Sequence, residues 1–280
     1  MLTAIDPPLI ASAPFAHALR KIGVGPYRAF ISLAKVVARH WEKPLDAFRA
    51  ELGLPKARDP ALFEGQFSPR LNLALFPRLL AEPQADWPKN TVLTGFARFD
   101  GPPINASQRQ KLDAFLAAGE PPIVFALGSS VVMIAGDFWE KAIAASLELG
   151  RRAILLTGTP LAQAPPPNVN AFDYLPYSAV FPKAAAVVHQ AGIGTLAQAL
   201  GAGRPQLIVP LAFDQPDNAR RAVDLGIARS IPIRKVTAKN LTRELDALLA
   251  DPAYAMNATR SMTGHDGARR AADALLESIS

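Results

Sequence analysis

Four apolar runs constrain this chain more than any other feature. They sit in "PPIVFALGSS" (121–130), "RAILLTG" (152–158), "PKAAAVVHQ" (182–190) and "PQLIVPL" (205–211). None alternates apolar with polar residues. A strand with one solvated face alternates with period two, so a strand that is apolar throughout is covered on both faces. Helical segments separate the runs: "GDFWEKAIAASLELG" ends on Gly150, "TLAQALGAG" follows the third run, and "PDNARRAVDLG" follows the fourth. "KLDAFLAAG" precedes the first run, "VNAFDYL" stands between the second and third, and the short "ARSIP" and helices over 239–250 and 266–278 end the chain. Strands alternating with helices predict an α/β fold, with a parallel sheet and helices on both faces.

The first third has a different grammar. Residues 26–53 read as one or two helices, because Phe30, Ala34 and Val37 recur at helical spacing, as do Leu45, Phe48 and Leu52. Pro44 is expected to open the second helix and Gly53 to cap it. Trp41 and Phe48 are expected in the core. "RLNLALFP" and "NTVLTGF" read as strands flanking the proline-rich "AEPQADWPKN". Residues 97–110 are polar and broken, which predicts a linker between a part spanning 1–96 and a domain spanning 111–280. No internal repeat is visible.

Composition removes several classes of function. Half of the 280 residues are hydrophobic, enough for a sizeable core. The net charge of +6 comes without a dense Lys/Arg run, so no nucleic-acid partner is expected. Cysteine is absent, which removes disulfides and thiolate chemistry and agrees with a cytoplasmic location. The start lacks a basic region and is broken by prolines, so no signal peptide is expected. The uncharged run 184–203 is long enough to cross a membrane, but its His, two Gln and four Gly argue against a transmembrane segment.

The stretch 189–218, "HQAGIGTLAQALGAGRPQLIVPLAFDQPDN", carries the chemistry. In an open α/β sheet, ligands bind beyond the carboxyl ends of strands. The third run ends at His189, and Gly192-Ile193-Gly194-Thr195 opens a helix. Glycines admit close backbone approach, and a helix N-terminus favours a phosphate. Gly128-Ser129-Ser130 offers a second such turn, and two turns suit a diphosphate. Gly192-x-Gly194-x-x-Ala197 also matches a dinucleotide fingerprint, with Asp214 at the ribose-binding distance. That reading is set aside. The fingerprint belongs to the first strand of its sheet, whereas strands precede this turn and too little chain follows to complete such a sheet. An unrelated α/β oxidoreductase therefore ranks last.

The residues "H189-x-A-G192-x-G194-T195-x-x-Q198" and "D214-Q215-x-x-N218" resemble the nucleotide-sugar signature of family 1, UDP-glycosyltransferase-like GT-B glycosyltransferases. "FALGSS", "GDFWEKA" and "PQADWP…TGFARFDG" are similar to the bacterial macrolide and sterol subgroup. The resemblance implies a Rossmann-like donor domain over 111–280 and a partial acceptor-side domain over 1–96. It implies transfer of a hexose from a UDP- or dTDP-sugar to a hydroxyl of a lipophilic acceptor, with no cofactor and no metal. His189 and the amides at Gly192, Gly194 and Thr195 would meet the diphosphate, with Ser129 and Ser130 on its other side. Gln198 would reach the ribose, while Asp214, Gln215 and Asn218 would hold the sugar. Two positions depart from the signature: Ala191 replaces a glycine and Phe213 a common histidine. The family's general base, a His near the start of the full chain, has no matching position, so no catalytic residue is assigned and His17 is not given that role. A separate N-terminal half or self-association is a further expectation, as is a nucleotide-sugar-binding module without turnover.

Plainer roles compete at several positions. His189 alone could pack or cap a strand end, and Asp214 could cap the helix at 216–225. Gly201 and Gly203 are expected only to cap a helix C-terminus. His17, His40 and His265 have no partners in sequence.

Overall fold

The computed structural model describes residues 3–9, 14–128, 135–264 and 266–279. The chain divides into two compact units, Met1–Ala97 with Asp266–Ser280, and Arg98–His265. Ser129, Ser130 and His265 lie outside the described residues. No described helix is long and apolar enough to cross a membrane.

In the first unit, α1 (Pro14–Ile22), α2 (Val24–Trp41) and α3 (Lys43–Glu51) follow one another. Pro44 occupies the first turn of α3, where its missing N–H costs nothing. Gly53 ends that helix at φ +67. Its N–H reaches Ala50 O at 3.0 Å and that of Leu54 reaches Arg49 O at 2.9 Å, the paired closure that a left-handed residue permits. The core expectation for Trp41 and Phe48 is not met, since they are 68% and 55% exposed. The buried side of α2 is instead Tyr27 and Ala38, with Phe30 and Ile31 packed beside Ala16 of α1. A helical period tells which residues share a face; burial also needs a neighbour to cover that face. Strands β1 (Asn72–Ala74) and β2 (Thr91–Leu93) pair in parallel, and α11 (Gly267–Ile279) belongs to this unit. Gly267 is pressed against the Phe96 carbonyl, 2.3 Å from where a Cβ would stand.

The second unit contains the predicted parallel sheet. Its elements are α4 (Ala106–Ala117), β3 (Ile123–Ala126), α5 (Phe138–Glu148), β4 (Ala153–Leu156), β5 (Val169–Phe172), α6 (Tyr177–Val180), β6 (Ala186–His189), α7 (Ile193–Ala202), β7 (Gln206–Ile208), α8 (Gln215–Asp224), β8 (Ala228–Ser230), α9 (Ala238–Ala250) and α10 (Pro252–Arg260). Asn105 and Gln108 cap the start of α4 reciprocally, so the helix begins inside the segment expected as a linker. The strand order is β5-β4-β3-β6-β7-β8, with every pair parallel. Ile123, Phe125 and Leu127 pack with Phe138 and Ala142 of α5 and Leu241 and Leu245 of α9. Val124 and Ala126 pack on the opposite side with Leu112 of α4, Phe181 and Ala199 of α7. The sheet therefore has two dry faces, as the uninterrupted apolar runs require.

This is the order of a six-stranded dinucleotide-binding sheet. The expectation that too little chain follows the Gly192 turn is corrected, because four strands of the sheet precede that turn and two follow it. What separates the turn from the fingerprint is its place after the fourth strand of the sheet rather than the first.

A second correction concerns Gly201. Gly203 is the left-handed C-cap of α7, at φ +62, whereas Gly201 lies inside the helix. A Cβ on Gly201 would lie 1.5 Å from Nη1 of Arg98. That guanidinium donates through Nη2 to Thr263 O at 3.0 Å and Gly264 O at 2.7 Å. Gly201 thus admits a cation across the helix surface. Replacing it with alanine gains about 1 kcal/mol of helix propensity and puts at risk charged hydrogen bonds worth about 1.5–3 kcal/mol. Gly201→Ala is therefore expected to destabilise by about 1 kcal/mol, and the same change in an Arg98→Ala background to stabilise. Urea unfolding of the four proteins checks this; additive effects would remove the Arg98 contact as the reason for the glycine.

Candidate functional site

The strand order reverses between β3 and β6, where Ala126 stands opposite His189. The two glycine turns that follow these strands are therefore neighbours. Gly128 adopts φ +67, and Gly192 precedes α7. Gln190 lies between them. A Cβ on Gly128 would come within 2.1 Å of its Nε2, and one on Gly192 within 2.8 Å. Gln190 is 3% exposed, and its Oε1 is buried without a hydrogen-bond partner among the described residues. A buried unpaired amide oxygen costs about 1–3 kcal/mol, so its retention asks for a reason.

His189 ends β6 fully buried. Its Nδ1 accepts the Ala191 N–H at 3.0 Å, so the ring proton resides on Nε2, which donates to Gln206 Oε1 at 2.8 Å. Burial holds its pKa down to about 4, against a smaller upward pull from Gln206. The ring is therefore neutral, and both nitrogens are engaged within the protein. His189 acts on the turn through Ala191, a non-glycine residue at φ +64. That left-handed backbone costs an L-residue roughly 1–2 kcal/mol.

The turn is also held from its other side. Asn218 Nδ2 donates to Ala191 O at 2.9 Å and to Asp214 Oδ2 at 2.7 Å, which ties the start of α8 to the start of α7. Asp214 makes no side-chain cap bond, so the plain capping role is not the one it has. Gln215 Oε1 accepts the N–H groups of Leu211 at 2.8 Å and Ala212 at 3.2 Å, fastening its own loop. Phe213 at the loop tip is 84% exposed and sits at φ +58. Both departures from the resembled signature, Ala191 and Phe213, thus occupy left-handed backbone.

At the head of α7 no side chain caps the helix, so the first amides, including those of Gly194 and Thr195, have no partner within the helix or from a capping side chain among the described residues. Among the described residues, a Cβ on Gly194 would meet no atom within 4 Å apart from its own chain neighbours and helix backbone, and its φ is not positive. Neither packing nor backbone conformation requires glycine there. Thr195 is buried, with its side chain bonded to Tyr177. Gln198 turns to residues outside the turn, donating to Phe99 O at 3.1 Å. The fold brings together His189, Gly192, Gly194, Thr195, Asp214 and Asn218, while Gln198 and Gln215 are engaged with backbone. Among the described residues, no group of three or more His, Asp or Glu could hold a metal ion.

Residues 153–269 match the family described as "Erythromycin biosynthesis protein CIII-like, C-terminal domain". This region is similar to an EryCIII-like C-terminal domain. The chain is 36% identical to O-mycaminosyltylonolide 6-deoxyallosyltransferase of Streptomyces fradiae over 219 residues, 77% of this chain and 51% of that protein. The chain thus spans about half the length of this curated relative. The solved glycotransferase of kitacinnamycin superposes with a TM-score of 0.71 at 27% identity, covering 91% of this chain and 67% of that one. Glycosyltransferase VinC in complex with dTDP superposes at 0.60 and 23% identity, covering 75% of this chain and 52% of that one. The fold is the α/β, parallel-sheet fold of the GT-B glycosyltransferase structures.

Within the matched region, Gln190 is the residue that sequence reading missed. The available signal was an amide side chain directly after an apolar strand and between two glycine turns. Its importance emerges only when β3 and β6 are known to be neighbours.

The buried imidazole makes a pH prediction. The folded pKa of about 4 lies below the ordinary 6.5, so the unfolded chain gains this proton first as pH falls. His189's contribution is complete above about pH 6.5, declines down to about pH 4 and is lost below that. The loss amounts to about 3 kcal/mol over that window. His189→Asn, which keeps an acceptor for the Ala191 N–H, is expected to flatten this part of the profile. Urea midpoints from pH 4 to 8 test it, and an unchanged slope in the variant would assign the dependence elsewhere.

Proposed function

We propose that the switch point between β3 and β6 binds the diphosphate of a nucleotide sugar, and that the EryCIII-like domain is the donor half of a glycosyltransferase. The observation that carries this reading is the open space at Gly194, beside unpaired helix amides and next to the Gln190 carboxamide wedged between two glycine turns. Such a site offers neutral donors to a dianion, and the helix N-terminus adds partial positive charge.

The amides of Gly192, Gly194 and Thr195 take one face of the diphosphate, and Ser129 and Ser130 take the other. Gln190 rotates its amide so that Nε2 donates. His189 positions the turn rather than touching the ligand. Asp214, with one carboxylate oxygen held by Asn218, presents the other to sugar hydroxyls. Gln198 and Gln215 exchange their backbone partners for ribose and sugar. An acceptor hydroxyl attacks the anomeric carbon as the bond to the diphosphate oxygen breaks, and the electron pair leaves with the diphosphate. The acceptor proton passes to a base not assigned here. Fixed N–H donors stabilise the charge that gathers on the leaving group. The donor is a UDP- or dTDP-hexose and the acceptor a lipophilic alcohol, in a cytoplasmic setting.

A second reading is a nucleotide-sugar-binding module without turnover of its own, working with a separate acceptor half. The exposed apolar side chains of α2 and α3, Val37, Trp41 and Phe48 among them, favour it.

Titration with dTDP, UDP and NAD tests the binding site. A nucleoside diphosphate at a hundredfold excess over Kd is expected to stabilise by about 2.7 kcal/mol. Gln190→Leu is expected to weaken dTDP or UDP about tenfold or more while leaving the melting temperature of the free protein unchanged or higher. Stabilisation by NAD alone, with neither diphosphate active, would overturn the assignment. Transfer from a radiolabelled UDP- or dTDP-sugar to a panel of hydrophobic alcohols separates the two readings. This chain alone is expected to bind donor with little transfer, because positioning both substrates contributes up to about 7–11 kcal/mol of barrier lowering. Rapid transfer by the isolated chain would discard the second reading.

A further inference from the structure

Gln206 opens β7 within one of the four apolar runs and is fully buried. The next two residues of the strand, Leu207 and Ile208, are equally dry. A leucine would fill such a position without bringing a polar group into the core. The amide brings two polar groups, and only one is used. Oε1 accepts the His189 Nε2–H at 2.8 Å, while Nε2 of Gln206 is buried without a hydrogen-bond partner among the described residues. A buried unpaired donor is costly, so the one bond that this side chain makes has to explain its presence.

The sheet register brings the two side chains together. Val187 stands opposite Gln206, and His189 stands opposite Ile208. Residues two apart on a strand share a face. Gln206 and His189 are therefore diagonal neighbours on one face, a separation that a long side chain can cross.

The ring and the amide set each other's orientation. A carboxamide can present either end, and a neutral imidazole can carry its proton on either nitrogen. With Oε1 toward the ring, the proton is on Nε2, and Nδ1 accepts the Ala191 N–H at 3.0 Å. With the amide turned over, its N–H would face the ring and the proton would move to Nδ1. Two donors would then meet at Ala191, a residue already at φ +64. The bonds continue beyond it. Asn218 Nδ2 donates to Ala191 O at 2.9 Å and to Asp214 Oδ2 at 2.7 Å. One chain of hydrogen bonds thus runs from the core of the sheet to the carboxylate at the start of α8, and Gln206 is its inner end.

We infer that Gln206 is a positioning residue for the turn between β6 and α7: its Oε1 holds the His189 proton on Nε2, so that Nδ1 remains the acceptor that fixes the Ala191 peptide and aims the amides after it. Gln206 acts through His189 and touches no ligand. Its effect on ligand binding rests on the diphosphate reading above, whereas its hold on the turn does not.

The two parts are tested separately. In imidazole nitrogen NMR spectra of the chain without ligand, His189 is expected to show a pyrrole-like Nε2 and a pyridine-like Nδ1, with His189→Asn as the control that removes the signal. Gln206→Leu removes the acceptor together with the unpaired donor, so it is expected to fold; Gln206→Met, closer in length, is the second variant. In both, the Nδ1–H tautomer should become populated, and the Ala191 amide should exchange with solvent about tenfold faster or more. dTDP affinity should fall about tenfold or more in the same variants. In a His189→Asn background, where the acceptor for Ala191 depends on no tautomer, Gln206→Leu should leave dTDP affinity unchanged. A proton on Nδ1 of His189 in the parent chain overturns the proposal. So does an unchanged tautomer with unchanged Ala191 exchange in the variants, or an equal loss of dTDP affinity in both backgrounds, which would make Gln206 a packing residue. If the parent binds no nucleoside diphosphate, the binding reading fails, and the tautomer and exchange data still decide whether Gln206 holds the turn.

Discussion

The pairing of β3 with β6 determines the candidate site. These strands are separated in sequence by two further strands and several helices, yet Ala126 and His189 lie side by side. Both strands are dry on both faces, so neither can slip without exposing a full set of apolar side chains. The pairing places the Gly128 and Gly192 turns together with Gln190 between them. It also fixes the origin of α7, which is anchored further along where Arg98 lies across Gly201 and Gln198 reaches Phe99. A site made of turns is thereby held by a sheet and a helix, and little of its geometry depends on loop rigidity.

The turn itself shows how strain is carried. Ala191 occupies left-handed backbone, which its side chain disfavours, and it is bonded at both polar groups. His189 Nδ1 accepts its N–H, and Asn218 Nδ2 donates to its C=O. Two hydrogen bonds of about 1 kcal/mol each are enough to offset a conformational cost of about 1–2 kcal/mol. The first holds only while the imidazole is neutral, because a protonated Nδ1 cannot accept. Complete burial ensures that neutrality by pushing the pKa down to about 4. The same ring therefore maintains the turn and links its stability to pH.

The residues that sequence reading placed well are those whose environment is written locally. Uninterrupted apolar runs at 123–127 and 184–188 require two covered faces, and only a parallel sheet with helices on both sides supplies them. Gly53 and Pro44 act within one turn of their own helix, so their roles were readable too. The misjudged residues depend on partners far away in sequence. Trp41 and Phe48 have core-like spacing, but no described element covers them. Gly201 looked like a cap because another glycine stands two residues on, and its real constraint is a guanidinium from residue 98. Gln190 drew no attention, since a lone amide has no signature until the strand order is known. His189 was singled out as a ligand contact; the structure adds that both ring nitrogens already have protein partners.

The charge distribution gives a last constraint on how such a site can work. The chain carries a net +6, yet the groups gathered around the β3–β6 turns are amides, a neutral imidazole and one carboxylate. A Lys or Arg cluster would bind a diphosphate through a field that salt screens over about 8–10 Å. Amide dipoles at a helix start act only at contact, so their strength depends on alignment more than on ionic strength. On the proposed reading, affinity is set by how well the backbone is held before the ligand arrives. That explains why buried His189 and the Asn218 tie converge on one strained residue, Ala191: where amides are the donors, the conformation of that turn is the electrostatic element. A leaving diphosphate stabilised this way requires no movement of charged side chains as the bond breaks, the condition under which fixed dipoles lower a barrier most effectively.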